Sequence, residues 1–326
     1  MRLTLALDSG ALVLPESGDI LVLHPSSDSD LSALPSDRLV LVQPFRPEWE
    51  AFRQRGFDVH ADVPSDRRFA GAIVFLSRAK ALSRALVAQA VALSDGMVLV
   101  DGAKTDGIEA MMKAVRARCP VSGALSKAHG KIFWFPPTPD LADWQDRPIE
   151  RDGWFTLPGV FSADAVDPGS ALLAVQLPDR LGGHVVDLGA GWGYLSKRIL
   201  ETAQVHRLDL VEADDRALRC ARRNVSDPRA HFHWADANRW RPETSVDTVV
   251  TNPPFHTSRA ANPDVGRAFI AAAAAMLKPS GHLYLVANRH LPYETMLCET
   301  FSQTREIGGD GRFKLFKAER PSRRRR

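Results

Sequence analysis

Cysteine is scarce in this chain. Cys119, Cys220 and Cys298 stand far apart, with no Cys-x-x-Cys pair, so neither a disulfide framework nor a thiolate zinc site is expected. Reduced thiols in a cytosol are the expectation, with no bound metal. Net charge is scarce too. The 42 Lys and Arg against 39 Asp and Glu leave +3, too little for a polycation that coats nucleic acid. No stretch approaches a membrane span; the most apolar, Ala268 to Leu277, is alanine-rich and reads as a buried helix. Asp8 interrupts the first leucines and no cleavage pattern follows, so neither a signal peptide nor a membrane anchor is expected. The first half also lacks a glycine-rich loop. Its early strands run into His24-Pro25-Ser26-Ser27 and Gln43-Pro44-Phe45-Arg46, which cannot let a cofactor touch the backbone. No nucleotide cofactor is expected there.

At 326 residues the chain has room for two domains. Residues 1 to 140 alternate short apolar strands (Ile20–Leu23, Leu39–Val42, Phe57–Ala61, Ala72–Leu76, Met97–Val100) with helical patterns over Arg78–Leu93 and Ile108–Arg118. Such alternation favours an α/β sheet. Gly96 sits where a helix C-cap glycine is expected. Lys104, Lys127, His129 and Lys131 allow a basic, RNA-facing surface, although scattered surface lysines are the commoner explanation of such a pattern. Pro136-Pro137-Thr138-Pro139 breaks the pattern, and residues 141–153 read as a linker. Arg320 to Arg326 reads as a basic, solvated tail.

The second half carries the chemistry. The run Val185-Val186-Asp187-Leu188 reads as a buried strand, followed by Gly189-Ala190-Gly191-Trp192-Gly193 and a helix from Tyr194 to Glu201. A dinucleotide fingerprint would place its third glycine at 194, where Tyr stands. This argues against a nicotinamide cofactor and for S-adenosyl-L-methionine, which has no pyrophosphate to seat on the helix. The next strand delivers Glu212, placed to accept from ribose hydroxyls. Asp214 or Asp215 caps the helix that follows, and Asp209 reads as structural or partly exposed. The strand His231–Ala235 ends at Asp236, which either accepts from an adenine amine or caps a turn.

Val246–Thr251 reads as a strand stopped by Asn252-Pro253-Pro254-Phe255. A planar amide, a proline-bound carbonyl and an aromatic ring just past a strand's carboxyl end form a clamp for a flat group bearing an NH2. An Asn-Pro turn is the simpler alternative. Further on, Lys278–Gly281 reads as a turn, His282–Ala287 as a strand, and Thr304–Ile307 with Arg312–Ala318 as a β-hairpin.

Taken together, Leu157–Ser162, Val185–Gly193, Asn252–His256, Val286–Asn288 with Leu291–Tyr293, and Gly311–Lys314 resemble the class I S-adenosylmethionine-dependent methyltransferases. More narrowly, they resemble the ribosomal RNA guanine-N2 enzymes of the "methyltransferase small" family. Pro158-Gly159 and Gly311–Lys314 lean toward the 16S enzymes, and Asn288–Leu291 toward the 23S enzymes. The resemblance implies two Rossmann-like methyltransferase-type domains in tandem. The N-terminal one (1–140) would be degenerate and engage RNA. The catalytic one (154–319) would carry a mostly parallel seven-stranded sheet with an antiparallel hairpin. It further implies that Asp187, Gly189, Gly191 and Gly193 shape the methionine side of an S-adenosyl-L-methionine pocket, with Glu212 at the ribose and Asp236 at the adenine. Asn252 and the Pro253 carbonyl would hold the target amine, Phe255 would stack on the flipped guanine, and Phe161 and Ser162 would border cofactor or substrate. Ribosomal RNA or the 30S subunit is the implied partner, a monomer the implied state and the cytoplasm the implied location.

Overall fold

A computed structural model describes residues 2–254 and 263–322. The chain divides into two compact units, one of Met1–Pro148 with Leu157–Gly159 and one of Ile149–Thr156 with Val160–Arg326.

The first unit runs α1 (Arg2–Asp8), β1 (Ile20–Leu23), β2 (Leu39–Val42), α2 (Arg46–Gln54), β3 (Asp58–His60), β4 (Gly71–Phe75), α3 (Lys80–Leu93), β5 (Val98–Ala103), α4 (Ile108–Arg116), β6 (Gly123–Lys127) and β7 (Gly130–Phe135). Its sheet order is β3-β2-β1-β4-β5-β7-β6. The first five strands are parallel, and β7 is antiparallel to both β5 and β6. Successive residues of β1 feed opposite cores. Leu21 and Leu23 pack with Leu82 and Leu86 of α3, whereas Ile20 and Val22 pack with Leu3 and Phe52. Burial on both faces is why parallel strands read as unbroken apolar runs.

The second unit runs β8 (Ile149–Arg151), β9 (Trp154–Thr156), α5 (Pro168–Gln176), β10 (His184–Leu188), α6 (Tyr194–Leu200), β11 (Arg207–Glu212), α7 (Asp215–Asn224), β12 (Ala230–Trp234), β13 (Val246–Thr251), α8 (Pro263–Met276), β14 (Leu277–Asn288), α9 (Glu294–Thr300), β15 (Phe301–Gly309) and β16 (Phe313–Pro321). Its main sheet, β12-β11-β10-β13-β14-β16-β15, repeats the first unit's topology strand for strand. The expected tandem of two like domains, the second a mostly parallel seven-stranded sheet with an antiparallel hairpin, is therefore borne out, and the first unit proves to carry the same seven strands and hairpin.

Four local expectations are corrected. Residues 141–153 are not a free linker. Residues Pro139–Trp144 form a 3-10 turn whose Leu141 and Trp144 are buried in the first unit's core, and β8 begins the second unit at Ile149. Gly96 does not cap α3. The helix ends at Ser94 in extended backbone, and Gly96 is needed because a Cβ would meet the Ala70 carbonyl oxygen at 2.1 Å. Lys278–Gly281 lies inside β14 as an irregularity, where pairing with β13 jumps from Val246↔Leu277 to Thr248↔His282. The basic tail starts later than expected, because β16 holds Arg320 and Pro321 and the Ser322 amide donates to the Thr300 carbonyl. Residues 323–326 lie outside the described residues.

Candidate active site

The site lies at the carboxyl ends of β10 and β13. These strands pair in parallel, yet β10 leads to β11 on its other flank. Chain order thus reverses between them, which opens a crevice where sheets of this kind bind ligands. The two ends are pinned together, since the buried Thr251 hydroxyl donates to the Leu188 carbonyl at 2.6 Å. Beyond β10 the chain turns through Gly189 (φ +78), Gly191 (φ +55) and Gly193 (φ +92). A Cβ at Gly189 would lie 3.1 Å from the Phe269 ring, whereas one at Gly191 would meet nothing within 4 Å. Gly191 thus presents bare backbone to open space, and Gly193 opens α6.

Three acids bracket this turn. Asp187 is fully buried at the end of β10. One of its oxygens accepts from the Ser196 hydroxyl at 2.6 Å, and the other has no partner. Burial pushes its carboxyl up to about 7, against the pull of the Ser196 bond and with help from the Glu212 charge. Glu212 ends β11 and accepts from the Gly191 amide at 2.7 Å and the Asp214 amide at 2.8 Å. Burial pushes it, too, up to about 7, and the Asp214 charge adds to the shift. Asp236 follows β12. One of its oxygens accepts from the Asn238 amide at 2.9 Å, and its carbonyl accepts from the amides of Arg239 and Trp240. The turn alternative therefore describes one of its oxygens. The cap of α7 is Asp214, which accepts from the Arg216 amide. Asp209 is fully buried and paired with His184, His233 and Arg207, which hold its carboxyl well below the usual range despite its burial.

Asn252 projects from the end of β13. Its Nδ2 donates to Asp167 Oδ2 at 2.8 Å and to Ser170 Oγ at 2.7 Å, and its buried Oδ1 has no partner. Pro253 is buried beside it, and Phe255 lies outside the described residues. A cavity of about 40 Å³ collects Phe161, Ser162, Gly189, Gly191 and Asn252, together with Asp167, Ser170 and Trp192. Asp187, Gly193, Glu212 and Asp236 are not in its wall. Asp187 precedes the turn and Gly193 ends it, while Glu212 touches it through the Gly191 amide.

Trp192 stands inside the glycine turn. It is buried, and its indole donates to the Phe161 carbonyl at 3.0 Å. That bond fixes the segment on which Phe161 stays 59% exposed and Ser162 takes a left-handed φ of 50°. Asn224 ties this corner together, donating to the carbonyls of Phe155 and Trp192 and accepting from the Phe155 amide. Asp167, Ser170 and Asn224 were missed as site residues because each reads locally as a cap or an end of a helix; the partners that bring them to the site lie 32 or more residues away. Only the Ser196 spacing, one helix turn inside α6, hinted at a partner for Asp187.

The chemistry of these groups fits S-adenosyl-L-methionine. The unmet acceptors Asp187 Oδ1 and Asn252 Oδ1 need donors, Glu212 and Asp236 are acceptors suited to hydroxyls and an amine, and Gly191 offers open backbone. Among the described residues no group of His, Cys, Asp and Glu could hold a metal ion, and no helix is long and apolar enough to cross a membrane.

A family model described as the methyltransferase small domain matches residues 153–317. The chain is 30% identical over 244 residues to the ribosomal RNA large subunit methyltransferase G of Shewanella amazonensis, covering 69% of this chain and 62% of that protein. It is 28% identical over 277 residues to the ribosomal RNA small subunit methyltransferase C of Hahella chejuensis, covering 79% and 80%. To the protein of that name from Idiomarina loihiensis it is 26% identical, covering 93% and 94%. Its fold superposes with a TM-score of 0.79 on a 16S rRNA N2 methyltransferase of T. thermophilus solved in complex with AdoMet and guanosine, at 24% identity over 96% of this chain and 91% of that one.

Proposed function

The chain belongs to the methyltransferase small family, and on that premise we propose that it methylates the exocyclic N2 amine of a guanine in 16S ribosomal RNA, with S-adenosyl-L-methionine as methyl donor. One observation carries the reading of the site: Asn252 holds a buried, unpartnered carbonyl oxygen at the switch point, beside the glycine turn. An acceptor so placed suits an amine that must be held by its N–H groups.

The guanine N2 lone pair is delocalised into the ring and is a poor nucleophile. Asn252 Oδ1 accepts one N–H and the Pro253 carbonyl the other, which favours a more tetrahedral nitrogen with its lone pair directed away from the protein acceptors. Positioning of this kind supplies much of the rate. The cofactor, when bound, supplies a methyl group already activated on a sulfonium. Gly189 and Gly191 would bring backbone to its methionine end, Glu212 would accept from the ribose and Asp236 from the adenine amine. No strong general base is needed, because the alkylated nitrogen is acidic and water or a carbonyl takes its proton. The base must leave its stack first, and Phe255 offsets part of that cost by stacking, worth about 1–3 kcal/mol. Phe161, exposed at the cavity mouth, borders the same space. The first unit, without a glycine turn, engages RNA. A monomer in the cytoplasm, acting on the 30S subunit, completes the reading.

Labelled methyl transfer to 30S subunits, 50S subunits, naked ribosomal RNA and a release factor (a protein whose glutamine side-chain amide the same clamp could hold), read by nucleoside mass spectrometry, tests it. N2-methylguanosine in 16S RNA is expected. The 30% identity to a large subunit enzyme favours one second reading, guanine-N2 methylation of 23S RNA, and label in that RNA would support it. Label in the release factor alone, or none anywhere, would overturn the RNA reading.

A further inference from the structure

An asparagine amide has two nearly isosteric orientations with opposite chemistry. Turned one way it accepts from an amine; turned the other it presents N–H groups that repel one. Resting on the function proposed above, we propose that Asp167 and Ser170 are positioning residues that lock the Asn252 amide in its accepting orientation. Both protons of Asn252 Nδ2 are taken, one by Asp167 Oδ2 at 2.8 Å and one by Ser170 Oγ at 2.7 Å. A flipped amide would lose its bond to Asp167 and set its oxygen against that carboxylate. The anchor is itself held. Asp167 Oδ2 also accepts from the Ser170 amide at 2.8 Å, which caps α5, and Pro168 fixes the first turn. Ser170 is buried on that turn, so its hydroxyl has little freedom to leave. The consequence is that Oδ1 stays buried and unmet in the ligand-free chain, ready for the amine.

Ser170→Ala removes one anchor and keeps the helix cap, because the Ser170 amide survives. It should lower kcat for guanine methylation about tenfold, the loss of roughly one hydrogen bond. KM for the RNA, the dissociation constant for S-adenosyl-L-methionine by calorimetry, and Tm should stay at wild-type values. Ser170→Thr, which keeps the hydroxyl, should restore kcat. Asp167→Ser keeps a capping side chain but removes the charged anchor, and should cost about a hundredfold in kcat, as expected for a bond to a charged group. Wild-type kcat in both Ser170→Ala and Asp167→Ser would overturn the proposal. So would a fall in kcat matched by equal losses in cofactor affinity and Tm, which would mark a purely structural tie between α5 and β13. Failure of the wild-type chain to methylate guanine in any acceptor would instead overturn the proposed function; loss of the inference alone would show as variants equal to an active wild type.

Discussion

The two units share one strand order but differ in what stands at the strand ends. In the second unit the central strand β10 runs into three glycines with positive φ, and its neighbour β13 runs into Asn252. In the first unit the equivalent β1 runs into His24-Pro25, and β4 runs into Leu76-Ser77-Arg78. After β1, buried Gln43 donates to the Pro25 carbonyl and accepts from the Phe45 amide. Nearby, Arg2 is paired with Asp101 at 2.6 Å. The cavity at the first unit's strand ends is the larger of the two compared, about 320 Å³ against about 40 Å³ at the second unit's glycine turn. Volume is therefore a poor guide to chemistry here. Its wall includes Asp28, Asp30, Asp101 and Asp106, and it offers no glycine turn for a cofactor. The same sheet carries a site only where backbone is bare and acceptors are left unmet.

The sharpest way to break that comparison is Asn252→Ala, which should lower kcat about 100- to 1000-fold, as for the loss of a positioned polar group. Calorimetry should find cofactor affinity intact. A parallel loss of both would remove Asn252 from the amine clamp. Gly191→Ala comes next. Its φ of +55° makes alanine cost about 1 kcal/mol in stability, but its methyl group enters the open space, so cofactor affinity should fall by more than stability does. Equal effects, compared by calorimetry and urea unfolding, would mean that the turn matters only for folding.

The third test uses pH. Asp187 and Glu212 of the second unit sit near 7 when folded, above their ordinary values of 3.8 and 4.5. Between about pH 4 and 7 the folded state therefore binds more protons than the unfolded, and the stability they confer is lost as pH rises through that window. In the first unit, Asp30 and Asp143 are held low by hydrogen bonds, so their contribution disappears only as pH falls below the ordinary carboxylate range. Urea unfolding of the ligand-free chain should weaken from pH 5 to 7.5, and Glu212→Gln should flatten that slope. Cofactor binding near pH 6.5 should release protons, since hydroxyl donors favour the carboxylate of Glu212; proton uptake in buffers of different ionisation enthalpy would contradict its ribose role. The smallest effect is expected from Ala128→Gly, at the β6–β7 turn of the first unit, where alanine is held at φ 49°. Relief of that strain should stabilise by about 1 kcal/mol with unchanged methylation.

Much of the fold was legible because parallel strands covered on both faces must be apolar throughout. Ile20–Leu23, Leu39–Val42 and Val246–Thr251 match the structure residue for residue. Some of what escaped had weak local signals. Helix α2 carries little beyond Trp49 and Phe52 as an apolar face, and β6 has Leu125 as its one large apolar residue, whereas β7 escaped despite its buried run Ile132–Phe135. The β8–β9 pair was hidden in a stretch whose charges and prolines suggested a linker.

The sequence by itself determined the local chemistry. The Gly189–Gly193 turn, Tyr194 in place of a third fingerprint glycine, the acids at the ends of β10 and β11, and the amide halted by two prolines all depend on backbone preferences and neighbours a few residues apart. Only the tertiary structure decided which atoms are left unmet. Asp209 became a fully buried anion because His184, Arg207 and His233 converge on it from three adjacent strands. Trp192 became a latch because the Phe161 carbonyl lies within its reach, 31 residues earlier in the chain. The Asn252 amide acquired a direction from Asp167 and Ser170, more than 80 residues upstream. Hydrogen bonds across such separations leave no periodicity in a sequence. They depend on two strand ends and a helix cap meeting at one point, which the folded chain alone provides.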